Sequence, residues 1–448
     1  MSAGSSASAI GQAGIGLDRV RALQRVLYRS AKQSPERRFH ALFDKVARSD
    51  VMLRAWSDVR ANRGAPGVDG ITIEDVEQSG VQAFLEELAS GLKAGGYRPK
   101  PLRRVHIPKP GRPGKTRPLG IPTVADRVVM AAARIVLEPV FEADFLASSY
   151  GFRPKRSAHM AIEAIRVETN RGANWVFDAD IKACFDEIDH DALMTEIGRR
   201  VVDRQMLKLL RCWLRAGIFE GGVITEPGSG TPQGSPISPL LANIALHRLD
   251  QALQGNERQT GKLVRYADDF VVVCLTNERA RHARRQTEMV LADLGLRVSP
   301  QKTRIVELTR GKEGFDFLGF HLHKVESWKW RGKWYLQRWP SARAMNNIRA
   351  KVRQRTDRRY SGLPIDAAVE RLNPVLRGWG NYFRTGNSAR KFAQIDSYVH
   401  ERLAILACNK HGLSGRKWDS RFDGAWLGRL GVYTLAGTIN YRSAHASR

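Results

Sequence analysis

The stretch Gly261–Leu275, GKLVRYADDFVVVCL, constrains this chain more than any other. Two adjacent aspartates, Asp268 and Asp269, stand between apolar runs that read as buried strands, Lys262–Tyr266 leading in and Phe270–Leu275 leading out. A tight turn between them lifts both carboxylates to one edge of a sheet. Like charges this close repel, and burying them is costly unless something cationic compensates. The pair is either a solvated turn or part of a site that holds a metal.

A third carboxylate bears on that choice. Asp180 ends the apolar strand WVFDAD, and strand ends are where ligands collect in sheets flanked by helices. Carboxylates from separate strands can clamp a pair of Mg²⁺ ions, which take hard oxygen ligands and keep positions open for substrate phosphates. Such a pair activates a 3′-hydroxyl and stabilises a leaving pyrophosphate. Taken alone, Asp180 is as readily a helix N-cap.

Charge points to the partner. The chain has 73 Lys and Arg against 45 Asp and Glu, a net charge of +28 spread along its length. Phosphate neutralisation on nucleic acid is the usual use of such a surface, with a merely solubilising surface the lesser alternative. No apolar run approaches membrane-spanning length, so no membrane partner is expected. Cys184, Cys212, Cys274 and Cys408 form no C-x-x-C pair, which argues against a disulfide framework or a zinc knuckle and fits a reducing compartment.

A length of 448 residues predicts two to four domains. Residues 1–17, rich in Ser, Ala and Gly, are expected to be disordered and lack the pattern of a secretory signal. Arg19, Arg21 and Arg25 leave an organellar transit peptide as the lesser alternative. Residues 18–96 are mainly helical and contain the glycine-rich loop NRGAPGVDG. Within 97–340, Val105 and Ile107, then Leu119 and Ile121, predict a hairpin closed by the basic turn PKPGRPGKTRP. Strand-to-helix and loop-to-helix segments follow before the Asp268–Asp269 hairpin. From 341 to 410 the periodicity is helical, with Ile365, Val369, Leu372, Leu376, Trp379 and Phe383 on one stripe and Phe392, Ile395, Val399, Leu403 and Leu406 on another. A basic tail occupies 411–448.

Together these pieces resemble a group II intron reverse transcriptase/maturase. The matching segments are RRVHIPKPGRPGKTRPLGIPTVADRVV, SSYGFRPKRSAHMAI, VFDADIKACFDEIDHDALM, GTPQGSPISPLLANIALHRLD, RYADDFVVVC, SPQKT, FDFLGFHL and LRGWGNYFR, in the family's order over roughly residues 50–440. The resemblance implies an α+β right-hand polymerase. Residues 18–96 would hold an N-terminal extension and the start of the fingers, 97–340 the fingers and a palm with an antiparallel sheet, and 341–410 an α-helical thumb or maturase domain. The tail would bind DNA.

The same resemblance assigns roles. Asp180, Asp268 and Asp269 match the catalytic carboxylates that hold two Mg²⁺ ions, with the Ile181 carbonyl as a further ligand. Phe185 matches the aromatic gate that selects dNTPs by clashing with a ribose 2′-hydroxyl; the bland reading is a core Phe. Lys109 and Arg117 match triphosphate-holding residues, Gln233 the residue beside the nascent pair, and Lys302 a triphosphate or primer contact. Phe317, Leu318 and Gly319 match the primer grip. Arg377, Arg384, Arg390 and Lys391 would contact RNA phosphates. Tyr382, off the apolar stripe, would stack on RNA bases, whereas Trp379 and Phe383 are read as core.

The implied function is RNA-dependent DNA synthesis, with binding of the chain's own intron RNA to promote splicing. Intron mobility by target-primed reverse transcription would follow, with a DNA target, a DNA primer and dNTPs as further partners in the bacterial cytoplasm beside the nucleoid. The expected subgroup is the compact one without an endonuclease domain, which would take its primer from elsewhere, such as a nascent strand at a replication fork. The alternative is a stand-alone reverse transcriptase of defence or repair, without a maturase role.

Overall fold

The computed structural model describes residues 4–108, 114, 116–226, 228–231, 234–412 and 422–441, with backbone alone over 4–17. Mixed sheets and helices lead into a helical C-terminal region, as the α+β expectation requires. Helix starts at Gly4 and runs to Gln33, which corrects the disorder expected over 4–17, while residues 1–3 lie outside the described residues. That run contains no proline and prolongs a helix anchored in the core by Val20, Leu27 and Ala31.

Eleven strands form three sheets among the described residues. In the first, β1 (Leu102–Pro108) pairs antiparallel with β2 (Thr116–Ile121), the hairpin expected from the sequence. The short strands β4 (Ile218–Glu220) and β5 (Val223–Thr225) extend it on the β1 side. The third sheet holds β9 (Gly314–Phe317), β10 (Phe320–Glu326) and β11 (Trp334–Pro340) as a meander.

The second sheet is central. Its order is β6-β7-β3-β8, with β3 Trp175–Asp180, β6 Lys262–Tyr266, β7 Asp269–Cys274 and β8 Arg304–Glu307, all neighbours antiparallel. Alternation divides its side chains between two cores. Phe177, Ala179, Leu263, Phe270, Val272 and Cys274 join one core, with the helices Ser238–Gly255 and Asn277–Asp293. Val176, Val264, Val271, Val273 and Val306 join the other, with the helix Ala158–Asn170 and the β9–β11 meander. Burial on both faces is why FVVVC reads as an unbroken apolar run.

The C-terminal helices Ala342–Arg355, Ile365–Phe383 and Ala389–Lys410 pack into that second core through Ile348, Leu372, Leu376, Phe392 and Leu403. Of the expected basic tail, residues 422–441 do not hang free. Leu435 is fully buried, and the backbone N–H groups of Leu435 and Ala436 donate to the Asp396 carboxylate at 2.9 and 2.8 Å. Among the described residues, no helix is long and apolar enough to cross a membrane.

Candidate active site

The two-residue turn Ala267–Asp268 joins β6 to β7, and Ala267 adopts a left-handed φ of +59°. Register then does the assembly. Asp269 lies directly opposite Asp180, the last residue of β3. Asp178 lies two residues back on the same face of β3, opposite Val271. Asp268 stands on the turn itself, where its carbonyl accepts the N–H of Ile181 at 3.3 Å. Three carboxylates thus occupy one corner of one sheet face, with a fourth at its rim.

Electrostatics record the crowding. Burial pushes the Asp269 carboxyl up to about 8, helped by the charges of Asp178, Asp180 and Asp268. Burial likewise raises Asp178 to about 6, against the opposing pull of Arg304, whose Nε donates to its Oδ2 at 3.3 Å. Asp268 is raised by burial and by Asp180, with Lys302 and Arg117 pulling the other way. Lys302 Nζ reaches Asp180 Oδ2 at 2.5 Å. Arg117 on β2 and Lys302 after Ser299 are therefore both brought to this corner.

The donor chemistry fits a hard divalent cation, since the surplus is carboxylate oxygen and its repulsion is only partly offset by Lys302 and Arg304. Among the described residues no three His, Cys, Asp or Glu side chains close into a preformed cage. An open arrangement of this kind leaves positions for substrate phosphate oxygens.

Sequence reasoning missed what stands behind the turn. Arg265 and Asp250 are both wholly buried, and two bonds of 2.6 Å join the guanidinium to the carboxylate. The same guanidinium donates to Asn243 Oδ1 at 3.0 Å, to Ser149 Oγ at 2.9 Å and to the Ala267 carbonyl at 3.0 Å. It points to the face opposite Asp269 and fastens the aspartate turn to the helix Ser238–Gly255. The segment Ser148–Gly151 runs alongside, with Arg265 N–H donating to the Ser148 carbonyl and Tyr150 N–H to the Arg265 carbonyl, both at 2.8 Å. A Cβ on Gly151 would lie 2.4 Å from the Ala267 nitrogen, so only glycine allows this approach.

Phe185 sits on the one-turn helix Cys184–Glu187, half-buried against the first core. It lines a cavity of about 320 Å³ with Arg104, Gly120, Gly230 and Thr231, and its carbonyl accepts the Thr231 N–H at 2.5 Å. Ile181 is buried and bridges to Val298. Lys109 and Gln233 lie outside the described residues.

Phe317 is buried, and Leu318 and Gly319 form the tight β9–β10 turn with φ of +48° and +80°. That turn meets the C-terminal helices. Tyr382 Oη donates to the Leu318 carbonyl at 2.8 Å, and its ring packs on His159, Phe320 and Phe383. Tyr382 therefore joins the helix Ile365–Phe383 to the β9–β10 turn, which corrects its assignment as a base-stacking residue: the hydroxyl and ring are already committed. Trp379 packs on Phe383 and Phe392, and its indole is half-buried. Arg377 lies over the Tyr433 ring at 4.6 Å, and the Arg384 carbonyl accepts the Asn440 N–H. Arg390 is exposed, and it and Lys391 flank a cavity shared with β10 and β11.

Comparison with known proteins agrees with this architecture. Residues 107–322 match the family described as reverse transcriptase (RNA-dependent DNA polymerase). Residues 345–422 match the maturase-specific domain of group II introns. Protein YkfC of Escherichia coli (strain K12) is 34% identical over 343 residues, covering 68% of this chain and 88% of its own. Group II intron-encoded protein LtrA of Lactococcus lactis subsp. cremoris is 40% identical over 229 residues, covering 50% of this chain and 38% of its own. In the solved partial Cas6-RT-Cas1–Cas2 complex, one chain aligns at 26% identity and a TM-score of 0.36, covering 56% of this chain and 41% of its own.

Proposed function

The chain belongs to the reverse transcriptases that carry a group II intron maturase domain, RNA-directed DNA polymerases with a splicing-related role, and from that premise we propose that Asp180, Asp268 and Asp269 carry out two-metal nucleotidyl transfer. The observation that supports this most is the register match of Asp180 with Asp269, with Asp268 on the adjoining turn. Asp180 and Asp268 with the Ile181 carbonyl would hold Mg²⁺, with Asp269 beside them; the metal supplies charge neutralisation at the triphosphate and at the attacking hydroxyl.

The remaining steps fall to the chain's own groups. Lys302 leaves Asp180 and turns to the triphosphate, its natural counter-charge. Arg117 reaches the same phosphates from β2. Phe185 forms the floor beneath the sugar and excludes a 2′-hydroxyl. The turn at Leu318–Gly319 supports the primer end. The primer 3′-oxygen then bonds to the α-phosphorus, and pyrophosphate leaves.

The maturase domain binds the chain's own intron RNA and promotes its splicing, and the aspartate site copies that RNA into DNA by target-primed reverse transcription. Arg377, Arg384, Arg390 and Lys391 supply phosphate contacts for that RNA. The decisive experiment has two arms. Purified protein with Mg²⁺ should extend a DNA primer on an RNA template, and Asp268→Ala with Asp269→Ala should abolish extension; undiminished synthesis sinks the metal assignment. RNA that co-purifies from the native locus should include the excised intron. Unrelated RNA, or none, sinks the splicing half and leaves a stand-alone reverse transcriptase.

A further inference from the structure

The β10–β11 hairpin ends in Ser327–Lys333, SWKWRGK, a tip that none of the roles above uses. Trp328 on it is 95% exposed, an unusual placement for the largest side chain. The tip is nonetheless ordered by its own bonds. Ser327 N–H donates to the Lys333 carbonyl at 2.8 Å, Gly332 N–H to Glu326 Oε1 at 2.7 Å, and Trp330 N–H to Ser327 Oγ at 3.2 Å. Lys329 and Lys333 place their ammonium groups 5.0 and 5.5 Å from the Trp330 ring. Trp330 thereby braces two cations, while the ring of Trp328 is left open. Arg331 adds a third exposed cation.

The surface continues down the hairpin. Trp339, Gln337 and Val325 share a cavity of about 470 Å³ with Arg390 and Lys391 of the maturase-domain match. Tip and cavity together present aromatic rings and cations, with the Glu326 carboxylate engaged by the Gly332 N–H. β10 is seven residues long, so the tip lies roughly 20 Å from the Leu318–Gly319 turn at its other end. That distance removes it from the primer terminus.

We propose that this hairpin is an RNA-binding element that takes unpaired nucleotides, with a base stacked on Trp328 and the flanking phosphates on Lys329, Arg331 and Lys333. Stacking needs an unpaired base with an open face, and the cations need a polyanion. Continuity with Arg390 and Lys391 assigns the strand to the RNA held by the maturase domain. The proposal rests on the RNA-binding reading above.

The test uses the full chain and four probes: oligo(U)₂₀, a 20-base-pair RNA duplex, oligo(dT)₂₀ and phosphatidylserine vesicles. Trp328→Ala should weaken oligo(U)₂₀ binding at least about fivefold and duplex binding less than twofold, with Trp328→Phe close to wild type. The thermal midpoint should not move, because the side chain lies outside the core. Unchanged oligo(U)₂₀ binding, or an equal loss on duplex, overturns the stacking role. Loss on oligo(dT)₂₀ with oligo(U)₂₀ unchanged overturns the assignment to RNA. Loss of co-sedimentation with phosphatidylserine vesicles while oligo(U)₂₀ binding stays intact overturns it in favour of a lipid surface. Wild-type protein that does not bind oligo(U)₂₀ overturns the underlying RNA reading, whereas wild-type binding with an indifferent Trp328→Ala overturns the hairpin alone.

Discussion

Asp269 carries the conflict that the site must resolve. In the folded chain burial and three neighbouring aspartates hold its carboxyl at about 8, against an ordinary 3.8. Between those values the metal-free folded state keeps a proton that the unfolded state has released, so stability is fullest at low pH and falls as pH rises toward about 8. Asp178 steepens the fall up to about 6. Asp269→Asn should remove most of this penalty. Measured in EDTA, its thermal midpoint should exceed that of wild type by more at pH 8 than at pH 5, while primer extension is lost; an equal difference at both pH values would take Asp269 out of the titration. Phe185 makes a second claim at this scale. Phe185→Ala should raise rNTP incorporation relative to dNTP in single-nucleotide extension, and unchanged discrimination would return the ring to a packing role. Asp180, Asp268 and Asp269 were legible from strand ends and the turn. Asp178 was legible too, since a spacing of two in VFDAD puts it on the face of Asp180, but a strand end draws attention to its last residue only.

The element that makes the site is the β6–β7 hairpin, and its rigidity comes from behind. Arg265 follows Leu263 and Val264 within a strand that is buried at all three positions, a signal that something buried must pair with it. Its partner Asp250 lies on another element, and no local pattern announces that meeting. Arg265→Met leaves the Asp250 carboxylate buried and unpaired and should cost about 3–5 kcal/mol. Adding Asp250→Leu removes the stranded charge and should recover much of that stability without recovering primer extension, because the Ala267 carbonyl has still lost its donor. Denaturant melts and extension assays on the two variants separate the effects: a double mutant that regains both stability and activity would mean the pair holds the fold but not the turn. Helical stripes and the β1–β2 hairpin were legible by period and turn chemistry. Tyr382 was not, because its partner Leu318 comes from a turn distant in sequence, and position off an apolar stripe does not by itself mean solvent.

On the scale of the whole molecule, charge is the property the sequence states without any fold. An excess of +28 needs a polyanion, but only the structure says which cations remain available. Several are spent internally, such as Arg265 on Asp250, Arg153 on Glu142 and Arg338 on Glu163. Among the described residues no carboxylate pairs with Arg390 or Lys391, which border an open cavity next to the hairpin. Salt dependence distinguishes cations that meet phosphates from cations that merely add to the total. For single-stranded RNA the slope of log K against log salt falls by about 0.7 for each phosphate contact. Arg390→Ala with Lys391→Ala should therefore make the slope shallower by about 1.4 if both meet the strand. The KM for dNTP should not change, since the cavity that these residues border is lined by none of the aspartates. A parallel line with a lower intercept would show that the pair acts through the general field of the protein, and an unaltered line would place the RNA on another face.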